Sequence, residues 1–438
     1  MSDGNVVLVG AGSVVFTAGL VADFIADGGA WELRMVDVDT EKLDTACRLA
    51  ERMIAAKDAP ITVRRAARHR DMLPGADAVV TTIDVGGRTA WEQDMRIQRA
   101  HGMFWPVSDT TTPGGLSRSL RIIPPLVGIA RDMAALCPAA LLYNYCNPMA
   151  AIVQAVARET STPVLGLCHG IPNAKRYLAR FLELDEKRCE CVGAGFNHFV
   201  WLLEFRVDGH DGYPLVRARN EELKRNGKRP GNDENNRLAW ELFDTFGLFP
   251  ASRDRHITEF FPQFFPEGRH YGKTLGVDRF PFEACLQGNT RQYAQMQQMA
   301  AGAAPIPARM LDRVVGENEK LVCILRALRE PAPHTYHATS PHTGRLAGLR
   351  EELCLECPLV FSNKGIEPAP IPALPPGIKA CIEKAFLTTD LIVQAALERD
   401  RAKFVQALIL DGCCCSVAQA GTLADELITA QKPVLPGW

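Results

Sequence analysis

The sequence predicts an α/β fold in which a doubly wound parallel sheet occupies the N-terminal part of the chain. Three observations favour it. Short apolar runs alternate with helical patterns up to about residue 165, a glycine turn follows the first run, and the unusual polar residues come directly after the runs. Because such sheets bind ligands at the carboxyl ends of their parallel strands, we expect the functional residues at that edge.

The first element is an apolar strand at residues 5–9, followed by a glycine turn and a helix beginning near Ser13. Such a turn lets the backbone approach a pyrophosphate, and the helix N-terminus supplies free N–H donors. A second strand ends in Asp37 and Asp39, and either acid is placed to accept hydrogen bonds from an adenosine ribose. This pattern is typical of a Rossmann-like NAD site, although an ordinary tight turn with solvated acids gives the same pattern. The predicted cofactor contacts here are Gly10, Gly12, Ser13, Val14 and Asp37.

Further strands are predicted at residues 61–63, 76–83, 139–143 and 163–168, and a helix at 41–57. From about residue 195 the pattern changes to a strand at 199–207 and long helical stretches that reach about residue 431. A chain of 438 residues is too long for one ordinary core. We therefore predict an NAD-binding domain at residues 1–195 and a C-terminal α+β domain for substrate binding and oligomerisation at 196–438.

The composition restricts the class of protein. A hydrophobic content of 47%, a charged content of 23% and a net charge of −2 give no electrostatic reason to expect nucleic acid or an anionic membrane as a partner. No stretch has the roughly 20 consecutive apolar residues of a membrane helix, and the predicted location is the cytoplasm. The 14 cysteines lack the paired spacing of a structural zinc site, so most are expected to be small buried apolar residues.

Four clusters carry candidate chemistry. Residues 108–118 form a loop rich in hydroxyls and glycine, which predicts either the lining of a nicotinamide or sugar pocket or a capped helix entry. In residues 144–148, Pro148 restricts Asn147 to extended geometry, so that its amide can point at a hydroxylated ligand. Cys168 and His198 follow two further strands and can share one divalent ion, although a lone cysteine or histidine in a strand is more often core.

These motifs, in their order along the chain, resemble glycoside hydrolase family 4. The similarity runs over most of the chain and extends more loosely to residues 363–365 and to the late helices. The motifs are the glycine turn, Gly86-Gly87-Arg88, Pro113-Gly114-Gly115, Asn147-Pro148, Cys168-His169-Gly170 and Asn197-His198.

The resemblance implies a tightly held NAD and a divalent cation, typically Mn²⁺, in place of the usual pair of catalytic carboxylates. In the family mechanism a hydride passes from sugar carbon 3 to NAD, and the resulting ketone acidifies the proton on carbon 2. A base then removes that proton, the glycosidic oxygen is expelled, water adds and the hydride returns. The cation polarises the oxygens on carbons 2 and 3. The implied fold is that of the lactate and malate dehydrogenases.

The resemblance also implies roles for individual residues. Cys168 and His198 match the metal ligands, and His169 stands where some members carry the acid for the leaving group, a task that suits its reference pKa. Arg88, Asn147 and Asn197 are expected to contact substrate. Asp84 and Asn144 are expected to contact the cofactor.

One departure concerns the carbon-2 base. Members commonly place a tyrosine in a Glu-Tyr-x-Pro segment, whereas Phe260 stands at the matching position here and cannot accept a proton. Three explanations are open. Another nearby residue is the base, the match to the family is locally shifted, or the substrate needs a different arrangement of acid and base. The candidates near in sequence are Asp254, His256, Glu259 and Tyr271.

The leading interpretation is an NAD- and metal-dependent glycosidase for an unphosphorylated hexoside or glycuronide, since phosphoglycosidase members tend to have Asn or Asp where His169 stands. A homodimer or homotetramer is expected by resemblance. One alternative is an NAD-dependent dehydrogenase for a 2-hydroxy acid or a sugar, which needs no metal. Another is an inactive protein that senses NAD or a sugar, which Phe260 favours.

Overall fold

The structure is a computed structural model that describes residues 3–228, 234–312, 320–341 and 353–438. Within these ranges the strands are β1 (Gly4–Val9), β2 (Trp31–Val36), β3 (Thr62–Ala66), β4 (Ala78–Thr81), β5 (Leu141–Asn144), β6 (Val164–Gly166), β7 (Cys189–Phe196), β8 (Phe199–Val207), β9 (His210–Asp211), β10 (Phe249–Pro250), β11 (Arg269–His270), β12 (Lys273–Thr274), β13 (His334–Pro341), β14 (Cys354–Ser362) and β15 (Gly365–Pro368).

The α-helices of the same ranges alternate with these strands in the first part of the chain and cluster at its end. They are α1 (Thr17–Asp27), α2 (Thr40–Ala56), α3 (Gly87–Ala100), α4 (Thr112–Leu136), α5 (Met149–Glu159), α6 (Gly170–Phe181), α7 (Tyr213–Arg225), α8 (Arg237–Phe246), α9 (Asp254–Ile257), α10 (Phe282–Ala301), α11 (Ala308–Leu311), α12 (Leu321–Ala327), α13 (Pro376–Glu398), α14 (Arg401–Asp411) and α15 (Val417–Gln431).

Six strands form the parallel half of the main sheet, in the order β3-β2-β1-β4-β5-β6. This is the strand order of a dinucleotide-binding sheet, with its crevice at the carboxyl ends of β1 and β4. Apart from the edge strand β3, which is polar and largely exposed, these strands are mostly apolar and buried, as a parallel sheet covered by helices requires. The predicted α/β fold and each predicted strand are confirmed.

The later strands extend this sheet rather than forming a separate one. β13 pairs antiparallel with β6 through Thr339 and Gly166, and β14, β7, β8 and β10 continue outward in antiparallel pairs. The predicted α+β character of the C-terminal part is confirmed. The predicted boundary between residues 195 and 196 lies at the end of β7, which pairs with β8, and this division stays a prediction.

Helices α13 and α14 pack on α4, and α13 also packs on α5, so these C-terminal helices lie against helices of the first part of the chain. One hydrophobic core runs through both parts of the chain. It encloses an ion pair between Arg121 of α4 and Asp94 of α3, at 2.7 Å, both fully buried. Gln431 of α15 and Ser117 also donate to Asp94. Distant segments are thereby fixed around the start of α4.

The first helix begins later than predicted, at Thr17 instead of near Ser13. Side-chain bonds hold residues 11–16 as turns, because the Ser13 hydroxyl accepts from the Phe16 N–H and the Thr17 hydroxyl donates to the Ala11 carbonyl. Ser and Thr compete with helix formation in this way. The glycine turn is therefore longer than the sequence pattern indicated.

Candidate active site

The glycine turn packs tightly against the strand and helix beside it. Gly10 has a φ of +94°, and a Cβ there would lie 2.7 Å from the backbone of Thr82 and Ile83. A Cβ on Gly12 would lie 2.8 Å from Asp37 Oδ2, which accepts a hydrogen bond from the Gly12 N–H at 2.8 Å. Only glycine fits both positions, which leaves the backbone of the turn open to a ligand.

The two acids after β2 have different partners. Asp37 accepts from the backbone of the glycine turn and from the Asp39 N–H. Asp39 is the N-cap of α2, where it accepts from the Lys42 N–H at 3.1 Å and pairs with the Lys42 ammonium. Asp39 is therefore engaged by its own helix, which favours Asp37 as the acid that faces the crevice.

Helix α10 lies across the outer side of this turn. Gln292 of α10 donates to the Val14 carbonyl at 2.7 Å, and a cleft of about 720 Å³ opens between Val14 and α10. Arg88 donates to Thr290 of the same helix at 2.7 Å and pairs with Glu92, with its side chain about half exposed. Arg88 thus joins α3 to α10, and its predicted role in substrate binding stays a prediction.

A chain of polar contacts runs from the end of β4 to the end of β5. The Arg118 guanidinium lies 2.9 Å from Asp84 Oδ1, and its Nε donates to the Asn147 carbonyl at 2.9 Å. The Asn147 amide donates to Asp109 Oδ2 at 3.0 Å, and the peptide bond to Pro148 is cis. The buried Oδ1 of Asn147 accepts no hydrogen bond from the part of the chain that the structure describes. That oxygen is free to accept from a ligand hydroxyl.

The chain of contacts ends in a cluster of Asp109, His198 and His256. One ligand-type atom from each lies within 4.8 Å of those of the other two, and this is the one such group of three or more within the described residues. His198 sits in the turn between β7 and β8 with a φ of +66°, and its Nδ1 is 2.8 Å from the Thr110 hydroxyl. The rings of His198 and His256 are 4.2 Å apart. Two imidazoles and a carboxylate are a ligand set suited to a divalent transition metal.

The pKa shifts of the three side chains favour the binding of a cation. Burial opposes ionisation of Asp109, but the imidazoles of His198 and His256 and the Arg118 guanidinium lower its pKa to about 2. Burial lowers the pKa of both imidazoles, that of His256 most strongly, with help from its neighbour His198. Near neutral pH the carboxylate is therefore charged and the imidazoles are neutral, which is the protonation state that metal ligands need.

Cys168, the other predicted ligand, is not part of that group of three. It follows β6 as a partly exposed cysteine outside any disulfide, and its Sγ would lie 3.8 Å from a Cβ built on Gly170. His169 comes next, at the start of α6, and its charge lowers the pKa of both His198 and His256. The structure thus places His169 beside the cluster, and both predicted roles stay predictions.

Behind His198 lies a buried acid. Asn197, fully buried, donates through Nδ2 to Glu356 Oε2 of β14 at 2.7 Å, and its Oδ1 accepts no hydrogen bond from the described residues. Burial raises the pKa of Glu356 to about 7, against the opposing effects of Asn197 and of the nearby His169. Asn197 thus contacts an acid whose pKa lies near 7, and its predicted contact with substrate stays a prediction.

Two further candidates for the carbon-2 base, Asp254 and Tyr271, form hydrogen bonds with groups outside the Asp109 cluster. The carboxylate of the fully buried Asp254 accepts from the Leu238 and Ala239 N–H groups at the start of α8. The Tyr271 hydroxyl bonds to Glu241, and burial followed by that acid raises its pKa. Phe260 stacks on Phe199 at 4.7 Å. The residue in place of the expected tyrosine is therefore part of an aromatic core.

The side chain of Asn144 is also buried in the protein interior. Its amide donates to the Cys146 carbonyl, its Oδ1 accepts from the Cys146 N–H and from the Thr81 hydroxyl, and none of it is exposed. It fixes the turn after β5, on which Asn147 is carried. Its predicted contact with a cofactor stays a prediction.

The sequence did not single out Asp109, Arg118 or Glu356. Asp109 and Arg118 stand in the hydroxyl-rich loop that the sequence did mark, so a signal was present but the roles were not assigned. Glu356 is one acid in an otherwise apolar strand whose partner is 159 residues away, and nothing local marks it.

Comparison with known proteins places these features in a family. A model described as family 4 glycosyl hydrolase matches residues 5–184, and one described as the C-terminal domain of that family matches residues 193–413. An α-galactosidase from Bacillus subtilis (strain 168) is 26% identical and covers 99% of both chains. An α-glucosidase from Erwinia rhapontici is 27% identical and covers 98% of both chains.

Solved structures share the fold. A 6-phospho-α-glucosidase from gut microorganisms, in complex with NAD and Mn²⁺, has a TM-score of 0.85 at 17% identity and covers 99% of both chains. Malate dehydrogenase from Plasmodium falciparum, in complex with NADH, has a TM-score of 0.51 at 11% identity and covers 91% of this chain and 99% of its own. The predicted likeness to the dehydrogenase fold is thus confirmed.

Proposed function

The chain belongs to glycosyl hydrolase family 4, as its sequence predicted, and from that premise we propose that it cleaves a small glycoside with the help of NAD and a divalent cation. The observation that carries the proposal is the polar chain from Asp84 through Arg118 and Asn147 to Asp109. It joins the dinucleotide edge of the sheet to the side chains suited to a metal. We propose that one sugar contacts both the cofactor and the cation.

NAD fits the glycine turn and Asp37. The close approach of Gly10 and Gly12 to their neighbours leaves bare backbone facing the crevice, and the Asp37 carboxylate is placed to receive the adenosine ribose. Bound there, NAD supplies the acceptor and later the donor of a hydride. The contact from Gln292 to the Val14 carbonyl places α10 over this turn, which suits a cofactor that is kept through many turnovers.

A divalent cation such as Mn²⁺ fits Asp109, His198 and His256, with Cys168 as a further candidate ligand. The buried Nδ1 of His256 has no hydrogen-bond partner among the described residues, which supports this assignment because such a nitrogen gains from a metal bond. Bound there, the cation supplies a Lewis acid for the sugar oxygens. Asn147 Oδ1 then orients a sugar hydroxyl from the neighbouring strand end.

His169 is our proposed proton donor to the leaving group. It lies at the start of α6, close enough to His198 and Glu356 to change the pKa of both groups. An imidazole can carry a proton near neutral pH, which is the requirement for a general acid.

The proposed substrate is an unphosphorylated hexoside or glycuronide. The curated relatives named above act on α-galactosides and α-glucosides, and His169 stands where phosphoglycosidases tend to have Asn or Asp.

We propose a homodimer or homotetramer in the cytoplasm. In the described ranges no helix has the length and apolarity needed to cross a membrane.

The test is release of nitrophenol from a panel of nitrophenyl hexosides and glycuronides, with NAD and Mn²⁺ each supplied or withheld. We expect cleavage that needs both, without net NADH. His198→Ala should abolish it, whereas His334→Ala, at a half-exposed histidine paired with Glu330, should not. Steady NADH formation on a hydroxy acid or free sugar would instead assign a dehydrogenase, and no turnover on the whole panel would favour a sensing protein.

A further inference from the structure

The Asp109 loop, defined here as residues 107–112, holds an unusual backbone. Ser108 has a φ of +52° and Thr112 a φ of +64°, although neither is glycine. For residues with a Cβ the left-handed region costs roughly 1–2 kcal/mol each, so surrounding groups must hold it. The loop also folds onto the start of α4, where a Cβ on Gly114 would meet the Ser108 hydroxyl at 2.6 Å.

The first end of the loop is held by Glu259. Its Oε1 accepts from the Val107 N–H at 2.9 Å and from the Ser108 N–H at 2.8 Å, and the side chain is buried. Gln98 of α3 adds a bond from the Ser108 hydroxyl at 3.0 Å. The strained residue before Asp109 is therefore fixed by two distant side chains.

The other end is held by Asp411, the last residue of α14. Its Oδ1 accepts from the Thr111 hydroxyl at 2.6 Å and from the Thr112 N–H at 3.1 Å. Asp411 is 5% exposed, and Lys384 of α13 donates to its carbonyl at 2.8 Å. The strained Thr112 is thus tied to the C-terminal helices.

We propose that Asp411 is a positioning residue for the cation site. It touches neither the cation ligands nor the glycine turn, but it fixes the backbone from which Asp109 points at His198 and His256. The inference rests on the proposed function, because it takes Asp109 to be a cation ligand. The C-terminal helices then contribute to catalysis through the geometry of one loop.

The experiment compares Asp411→Ala with Asp411→Asn and with Asp425→Ala. The asparagine keeps an Oδ1 acceptor for both bonds. Asp425 is an exposed acid on the next helix, α15, where it pairs with Arg401 of α14. Mn²⁺ affinity is measured by electron paramagnetic resonance, NAD affinity by calorimetry, and backbone exchange of the loop by hydrogen-exchange mass spectrometry without metal.

We expect Asp411→Ala to weaken Mn²⁺ binding about 10–100-fold, the usual effect of removing a group that orients a metal ligand. Exchange in the loop should rise, while NAD affinity stays unchanged. Asp411→Asn and Asp425→Ala should stay within about 3-fold of the unmodified protein, because neither removes an acceptor from the loop. If Asp411→Ala does not fold, Thr111→Val removes one of the two bonds, and it should raise exchange in the loop and weaken Mn²⁺ binding.

Unchanged Mn²⁺ affinity in Asp411→Ala, or in Thr111→Val where that variant is needed, would overturn the inference. An asparagine variant as weak as the alanine variant would also overturn it, because charge and not the loop bonds would then matter. An unmodified protein that binds no Mn²⁺ would overturn the proposed function instead. In that case, raised exchange in Asp411→Ala would still show that Asp411 holds the loop, and unchanged exchange would reject both ideas.

Discussion

Glu356 offers a test that needs no cofactor. Its pKa is raised from 4.5 to about 7, mainly by burial, so the folded protein holds this proton more tightly than the unfolded chain. The stability linked to the proton is present below about pH 4.5, falls as the pH rises and is lost above about pH 7. At 1.36 kcal/mol per unit of pKa shift, the change from 4.5 to about 7 corresponds to about 3 kcal/mol of folding free energy. Glu356→Gln imitates the protonated acid and keeps an acceptor for Asn197.

We therefore expect Glu356→Gln to match the unmodified protein at pH 4.5 and to be up to about 3 kcal/mol more stable at pH 8. The free energy of unfolding is measured by urea denaturation at half-unit steps between these values. Glu426→Gln, at an exposed acid paired with His101, is the matched control and should change little at any pH. A Glu356→Gln variant that is less stable at pH 8 would refute the assignment of a buried, proton-holding carboxyl.

Two further predictions concern the glycine turn and the buried ion pair. Gly12→Ala should cost about 1–3 kcal/mol by overpacking and weaken NAD binding at least about tenfold, because the new methyl lies 2.8 Å from the carboxylate beside it. The control is Gly128→Ala, where the new methyl enters open space within α4 and should stabilise the fold by about 0.5–1 kcal/mol. NAD affinity is measured by calorimetry, and equal affinities in the two glycine variants would contradict this reasoning. Asp94→Ala leaves Arg121 as an uncompensated buried charge and should cost about 3–5 kcal/mol in urea unfolding, against at most about 1 kcal/mol for the exposed Asp425→Ala. Similar losses in both aspartate variants would mean that the buried pair is not a strong constraint.

The parallel half of the fold was predictable because its signals are local. Each strand is a short apolar run, and the glycine turn, Asp37 and Asn147 follow those runs directly. Since strand ends of a parallel sheet meet at one edge, the sequence also predicted that these polar residues would gather there. The start of α1 differed, because Ser13 and Thr17 bond to the turn instead of continuing a helix. The predicted loop at residues 108–118 is also shorter, because α4 begins at Thr112.

The antiparallel half and the cation site depend on contacts between distant residues. His256 comes from a short helix 58 residues beyond His198, and Asp411 reaches a loop 300 residues earlier in the chain. No periodicity or spacing encodes such meetings. The sequence could name His256 as a candidate but not its place beside His198, and it missed Asp109 as a ligand altogether.

Three unsatisfied polar atoms near the Asp109 cluster support an active site over a sensing or purely structural role. Asn147 Oδ1, Asn197 Oδ1 and His256 Nδ1 are buried and accept no hydrogen bond from the described residues, and all three belong to or adjoin the Asp109 cluster. Each such atom costs about 1–3 kcal/mol, which a fold tolerates where a ligand supplies the missing bond. A dehydrogenase that needs only NAD has no use for a metal at this cluster. A sensor has no need of a carboxylate held by a strained loop beside two imidazoles, which supports the proposed cation and sugar at this cluster.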